Sequence, residues 1–298
     1  MSVACAVQEM NLIRTSAGEA DQQLDLGQVA IDDINRAAGI AIDRVQSIQT
    51  ANSEVERLAS EMRGLPNAGA EATTPLDRAC TQIGVTSNGF VRAVGNIGDR
   101  VLGARELFSN ASYKLVVGHH AAEACKDEIA ESIENVAVAT DRGASPEMLR
   151  VYEEDKANLD KAAGVAGQIE TLLGETRGLA RCNLVTTSFN NYVSDSRTIA
   201  LHNITNKISE GAREIRVLGT QVVKDDIRLG AEAVVALRNI GGETSHVTSG
   251  LLAKASGAVS ALVESLKFEV AQPKANLAEV QTLLGALATH LSKVTNTL

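Results

Sequence analysis

Apolar and small side chains recur along the chain at alternating steps of three and four residues, which places them on one face of a helix. One unbroken register runs through Met10, Ile13, Ala17, Ala20, Leu24, Gly27, Ile31, Ile34, Ala38, Ala41, Val45, Ile48, Asn52, Val55, Ala59 and Met62. A second runs through Leu76, Cys80, Ile83, Ser87, Phe90, Val94, Ile97, Val101, Ala104, Phe108, Ala111, Leu115, Gly118, Ala122, Cys125, Ile129, Ser132, Val136 and Ala139. None of these 35 positions is charged, whereas a charged fraction of 22% would place about eight charges there by chance. Such a register is typical of coiled-coil packing, and it predicts long helices over residues 8–64 and 75–141.

Two stretches rich in proline and glycine separate the predicted helices. Residues 64–77, GLPNAGAEATTPLD, contain two prolines and two glycines and predict a turn. Within this stretch Thr74-Pro75 matches a helix start, with proline at the first helical position. Residues 141–148, DRGASPEM, predict a second turn, after which Ser145, Pro146 and Glu147 begin a third helix.

Beyond Pro146 the register is shorter and shifts several times. Its first stretch comprises Leu159, Ala162, Ala166, Ile169, Leu173, Thr176 and Ala180. Further stretches follow within residues 185–199, 204–222 and 252–266. The last, beyond Pro273, comprises Leu277, Val280, Leu284, Leu287, Leu291, Val294 and Leu298. Shifts of this kind change the supercoil locally without ending the helical pattern.

Many register positions carry Ala, Gly or Ser, which bury less apolar area than Leu, so a pair of such helices is held weakly. We therefore expect an all-α protein made of elongated antiparallel helical hairpins that form a four-helix coiled-coil bundle. The predicted domains are an N-terminal hairpin, residues 1–142, and a C-terminal hairpin, residues 146–298. Two arrangements remain open: a hairpin pairs with a second chain, or four arms fold together within one chain.

Composition and charge narrow the classes of function. Only four Phe and three Tyr occur, with no Trp, which suits thin cores between helices. A net charge of −9 disfavours nucleic-acid binding and anionic membranes. No run of 18 apolar residues occurs, so we expect no membrane insertion. The four cysteines are widely spaced, which predicts free thiols in a reducing compartment. The N-terminus has no signal-peptide pattern, so we expect a cytoplasmic location.

The sequence offers no arrangement that favours catalysis. His119 and His120 are consecutive, so on a helix they diverge by about 100° and are unsuited to joint metal binding. We expect them on the surface, beside a core Cys125. The acidic residues 153–155 and 224–226 are interpreted as solvated faces, although Asp225 also falls on a register position. No nucleotide-binding or hydrolase motif occurs, so the prediction is a protein that is not an enzyme and holds no cofactor or metal.

Residues 199–228 read IALHNITNKISEGAREIRVLGTQVVKDDIR. This segment resembles the membrane-distal tip of the cytoplasmic signalling domain of methyl-accepting chemotaxis receptors. The receptor pattern Glu-x-Gly-Arg-Gly-Phe is not intact here, and the paired Glu/Gln methylation pattern finds no good match. The resemblance implies contact with a signalling kinase or coupling protein. The residues that it implies for this contact are Asn203, Asn206, Glu210, Arg213, Arg216, Asp225 and Arg228.

The resulting hypothesis is a soluble, non-catalytic helical signalling or scaffold protein that acts through coiled-coil contacts. We expect a homo-oligomer, a dimer in the simplest case, with a signalling kinase or coupling protein as a further partner. The alternative is a structural filament or sheath subunit built from long helices. A filament subunit sediments as long polymers, whereas a signalling adaptor runs as a discrete dimer.

Overall fold

The computed structural model describes residues 2–62, 70–179, 260, 263–264, 267–268 and 270–294. The helices are α1 (Ser2–Met62), α2 (Ala70–Asp141), α3 (Pro146–Leu179) and a C-terminal helical segment, residues 270–292, called α4. The described part of the chain contains no strand, and the prediction of an all-α protein is confirmed. Among these helices, none combines the length and apolarity that crossing a bilayer requires.

The start of α2 differs from the prediction. The helix is already formed at Ala70, so Thr74-Pro75 lies inside it and does not mark its first position. The residues that precede Pro75 include Ala70, Glu71 and Ala72, which favour helix. Proline removes one backbone donor from this early part of the helix, and the helix continues through it.

The turn between α2 and α3 lies where the sequence predicts it. Gly143 has φ 82°, in the left-handed region that favours glycine. Ser145 caps α3: its Oγ accepts a hydrogen bond from the Met148 backbone N–H at 3.3 Å, and its carbonyl oxygen accepts one from Leu149 N–H at 2.8 Å. Pro146 is the first residue of the helix, so the predicted helix start is confirmed.

The predicted registers form the buried face of each helix. They are buried from Met10 to Ile48 in α1, Ile97 to Val136 in α2, Leu159 to Thr176 in α3, and Leu277 to Val294 in and just after α4. Ala139, at the end of α2, is half-buried. The other register side chains lie outside the described side chains: those within Asn52–Met62 and Leu76–Val94, those at Ala180 and Leu298, and those within residues 185–222 and 252–266. Burial of these stripes is the main apolar contribution to the stability of the described helices.

Two compact units divide the chain. Unit 1 comprises Met1–Ala30, Gly103–Thr186 and Ser265–Leu298, and unit 2 comprises Ile31–Leu102 and Thr187–Glu264. Each unit takes residues from both predicted hairpins, and the division into domains 1–142 and 146–298 stays a prediction.

Polar contacts define how helices meet within unit 1. Glu19 of α1 pairs with Lys114 of α2 at 2.6 Å, and the Ala6 carbonyl oxygen accepts a hydrogen bond from Cys125 Sγ at 3.4 Å. Low numbers in α1 thus meet high numbers in α2, so the two segments are antiparallel. Lys126 of α2 extends the contacts to α3, where it pairs with Glu170 at 2.8 Å.

Candidate functional site

Each of the four helices in unit 1 contributes a buried polar side chain to one region of the helix contacts. These side chains, which we call the polar layer, are Ser16 of α1, His119 of α2, Thr176 of α3 and Asn276 of α4. His119 contacts α3 at Glu170 and Gly174, and Asn276 contacts it at Thr176, all within less than two helical turns. Ser16 lies opposite Gly118 of α2, the neighbour of His119. Because buried polar groups cost free energy unless they are hydrogen-bonded, their partners determine what the layer does.

His119 connects α2 to the backbone of α3. Its Nδ1 lies 3.2 Å from the Glu170 carbonyl oxygen, an acceptor, so this hydrogen bond places a proton on Nδ1. The other ring nitrogen, Nε2, lies 3.3 Å from Glu123 Oε1. The second oxygen of Glu123 lies 2.9 Å from His120 Nδ1. Glu123 therefore bridges the two histidines on the α2 side of the contact.

The sequence prediction for this histidine pair is confirmed for one residue and wrong for the other. His120 is 64% exposed in its side chain, as expected, whereas His119 is buried. The reason is that α2 contacts both α1 and α3 in unit 1, so its buried face is wider than one register. His119 stands next to the register position Gly118 and faces α3.

Two glycines allow the helices to approach at the polar layer. A Cβ atom added at Gly118 would lie 3.4 Å from Ser16 Cβ, and one added at Gly174 would lie 3.4 Å from His119 Cε1. Both distances are at the short end of ordinary van der Waals contact, so a side chain larger than alanine requires its neighbour to move. The small residues thus set the spacing of α1, α2 and α3 at this level.

Thr176 and Asn276 form a directed chain of hydrogen bonds between α3 and α4. Asn276 Nδ2 donates to Thr176 Oγ1 at 2.8 Å, and that hydroxyl donates to the Leu172 carbonyl oxygen at 2.6 Å. On the other side, Gln272 Nε2 donates to Asn276 Oδ1 at 3.1 Å. Every bond in the chain has a suitable donor and acceptor, which makes the network favourable in a buried setting.

Ion pairs lie at the solvent edge of the same helices. The hydrogen bond that Glu170 accepts from Lys126 raises the pKa of that lysine, because it favours the charged form. Lys274 of α4 is hydrogen-bonded to Asp25 of α1, which raises its pKa, and lies 3.8 Å from Asp21. Exposed pairs contribute little to stability, so these contacts chiefly select which helix faces meet.

Cys125 is a core thiol, as the sequence predicts. Its side chain is fully buried, and burial raises its pKa to about 11, with Glu9 and Glu128 adding to the shift. Cys125 and the half-buried Cys5 are both free thiols. At neutral pH the Cys125 thiol is therefore protonated and is a poor nucleophile.

The interpretation of residues 153–155 as a solvated face is wrong for its last member. Asp155 is only 2% exposed, whereas Glu153 and Glu154 are exposed. Steps of four and then three residues back from Leu159 reach Asp155 and Tyr152, and both are buried. The first register of α3 thus begins earlier than the apolar residues alone indicate, and its extension would have identified Asp155.

The residues that the receptor resemblance implies for partner contact lie outside the described residues, as do residues 224–226. These are Asn203, Asn206, Glu210, Arg213, Arg216, Asp225 and Arg228. Their role stays a prediction. Within the described residues, no group of three or more His, Cys, Asp or Glu is arranged to hold a metal ion.

Comparison with known proteins gives no assignment. No protein-family model, curated protein or solved structure shows a detectable match to the chain. The function is therefore inferred from the chain's own residues and contacts.

Proposed function

We propose that the protein is a non-catalytic, cytoplasmic helical scaffold for signalling, which acts through coiled-coil contacts with a second copy and with a signalling partner. The observation that carries this proposal is the polar layer of unit 1. It contains one buried polar side chain from each of four helices, in a core otherwise rich in Ala, Leu, Ile and Val. Polar groups at such positions favour one helix register over others, at some cost in stability.

The finer architecture that we propose for unit 1 is an antiparallel four-helix bundle. Lys114–Glu19 links α1 with α2, and Lys126–Glu170 links α2 with α3. Asn276 connects α4 with α3, while Lys274 connects it with α1. These contacts join the four helices in a closed order, which supports a bundle.

A change in helix packing is the proposed means of signal transmission. The His119–Glu170 contact depends on the position of α2 along α3, because its acceptor is a backbone carbonyl. Gly118 and Gly174, which lie at the polar layer, have no side chains that would interdigitate with the neighbouring helix there. A shift between helices would exchange these contacts as a set, which is how packed helices switch between states.

Self-association is proposed through the exposed side of α1 in unit 1. Leu26 and Val29 are 46% and 59% exposed, and their spacing of three residues places them on one face. A second copy that covers them would remove apolar surface from water. The kinase or coupling-protein contact through residues 199–228 belongs to the same proposal and depends on the receptor resemblance.

The test is the mass of the full chain in solution, measured by size-exclusion chromatography with light scattering and by sedimentation velocity. We expect a discrete dimer. Val29→Glu should convert it to monomer, while Val138→Glu, at a position 48% exposed on α2, should leave it dimeric. A monomeric wild-type chain contradicts the proposed self-association. Long polymers would support the alternative, a filament or sheath subunit.

A further inference from the structure

A groove of about 300 Å³ opens between α1 and α2 in unit 2. Four arginines line it, Arg36 and Arg44 from α1 and Arg92 and Arg100 from α2. On each helix the two arginines are eight residues apart, about 12 Å along the axis. The chain carries a net charge of −9, so this arginine groove is a local concentration of the opposite sign.

The positive charge in the arginine groove is only partly neutralised. Asp33 pairs with Arg36 through Oδ1 and with Arg100 through Oδ2, each at 2.8 Å. It is the one acidic residue among the described residues that line the groove. Within the described part of the chain, Arg44 and Arg92 have no acidic partner. The described lining thus has three positive charges in excess.

Arg44 of α1 packs against α2 at Gly89. A Cβ atom added at Gly89 would lie 3.4 Å from Arg44 Nε and 3.5 Å from its Cδ. The arginine therefore lies against the surface of α2, on the groove side. Ala37 and Ala93, small and buried, lie deeper in the groove, so its lining leaves space between the guanidinium groups.

We propose that the arginine groove binds a compact ligand that carries several phosphate groups. A guanidinium group donates two parallel hydrogen bonds to phosphate oxygens, and it retains its charge at any physiological pH. Arg44 and Arg92 supply these donors directly, while Arg36 and Arg100 add charge beside Asp33. A short chain of phosphates matches the excess positive charge and the length of the groove.

Other anionic partners fit the arginine groove less well. An anionic membrane is repelled by a chain of net charge −9. Single-stranded nucleic acid is usually held by stacking on aromatic side chains, and the described lining residues include none. An amphipathic helix needs several apolar anchors, whereas Ile40 is the one large apolar side chain in the described lining. A ligand with phosphates and little apolar surface is favoured.

The probe is inorganic tripolyphosphate, titrated into the full chain by isothermal calorimetry at fixed pH. We expect one site per chain, with an affinity that falls as NaCl is added, because the charges are solvent-exposed. Arg44→Gln and Arg92→Gln should each weaken binding about tenfold. Gly89→Leu, which fills the space that Arg44 occupies, should weaken it as well. Arg150→Gln is the matched control, since Arg150 is exposed and lies 3.6 Å from Glu154 on α3. This variant should bind tripolyphosphate with the affinity of wild type.

Two further titrations identify the source of the phosphates. Inositol hexakisphosphate carries its phosphates on a ring, and tripolyphosphate carries them in a line. Binding of either compound supports the proposed site, and the tighter one shows which arrangement of phosphates the groove prefers. The proposal is overturned if neither compound binds at low salt, or if the Arg44 and Arg92 variants, shown to be folded by circular dichroism, bind as wild type does. Tighter binding of a glutamate-rich peptide would also overturn it, since the groove would then belong to an acidic protein segment.

Discussion

The polar layer of unit 1 and the arginine groove of unit 2 place polar groups at helix contacts in opposite ways. In the layer, Thr176 and Asn276 are buried, the Asn276 amide donates a hydrogen bond to the Thr176 hydroxyl, and that hydroxyl donates one to a backbone carbonyl oxygen. In the groove, Arg44 and Arg92 are exposed and lack an acidic partner among the described residues. Burial forces polar groups to pair, whereas water tolerates unpaired charge. The layer is therefore suited to fixing helix packing and the groove to receiving a ligand.

The largest effect on the free energy of unfolding should come from a substitution in the buried apolar register. Phe108 is buried against Gly27, and Phe108→Ala should lower the free energy of unfolding by about 3–5 kcal/mol. Phe268→Ala is the control, because Phe268 is 70% exposed, and its effect should be within about 0.5 kcal/mol. Urea unfolding followed by circular dichroism measures both. Equal effects would show that Phe108 is not in the core.

The polar layer should show a smaller effect that depends on both partners. Thr176→Val leaves Asn276 Nδ2 without its acceptor, at a cost of about 1–3 kcal/mol. The double variant Thr176→Val/Asn276→Leu should recover much of this loss, because the donor that Thr176→Val leaves unpaired is then removed as well. Thr171→Val is the control, since the Thr171 hydroxyl is exposed and bonds only to its own helix. Additive losses in the double variant would contradict a coupled pair.

Cys125 gives a pH-dependent effect of about 2 kcal/mol by pH 11, from its pKa of about 11 against an ordinary value of 9.0. Below pH 9 the thiol is protonated in the folded and unfolded chain alike. Above pH 9 the unfolded chain ionises first, so stability should fall as the pH rises to 11. Relative to Cys125→Ala, wild type should lose stability over this range, and Cys5→Ala should follow wild type. If the difference in free energy of unfolding between wild type and Cys125→Ala stays constant from pH 9 to pH 11, the pKa of the Cys125 thiol is not raised by burial.

The smallest effect on stability should come from the arginine groove. Arg44→Gln and Arg92→Gln should change the free energy of unfolding by no more than about 0.5 kcal/mol, because both side chains are exposed. Asp33→Asn should be less stable than either, since Arg36 and Arg100 then lose their shared carboxylate. Urea unfolding at low salt checks the order. A large loss in an arginine variant would assign these side chains to the fold.

The apolar register predicts most of the side chains that the described helices bury. A stripe from Met10 to Ile48 or from Leu159 to Thr176 follows from helical geometry alone, and so does the capped turn at Ser145. The predictions were wrong for Asp155, where the register of α3 extends further than its apolar residues, and for His119. His119 is buried because α2 also contacts α3, and a single-helix pattern contains no information about that contact.

The arginine groove could not be predicted from the registers, because it depends on how α1 and α2 align. A shift of one heptad, about 10 Å, would leave both apolar stripes buried. It would nevertheless separate Arg100 from Asp33 and Arg44 from Gly89, which now lie in contact. The alignment is a property of the folded helix pair, set by contacts between residues that are distant in sequence.

Thermal unfolding of Thr176→Val and Arg92→Gln, each with and without tripolyphosphate, tests most directly whether the two regions have separate roles. We predict that Thr176→Val unfolds at a lower temperature than wild type and keeps the full ligand-induced rise. Arg92→Gln should unfold at the wild-type temperature and lose most of that rise. If Arg92→Gln is destabilised, or if Thr176→Val loses its response to tripolyphosphate, the separation of packing from ligand binding is wrong.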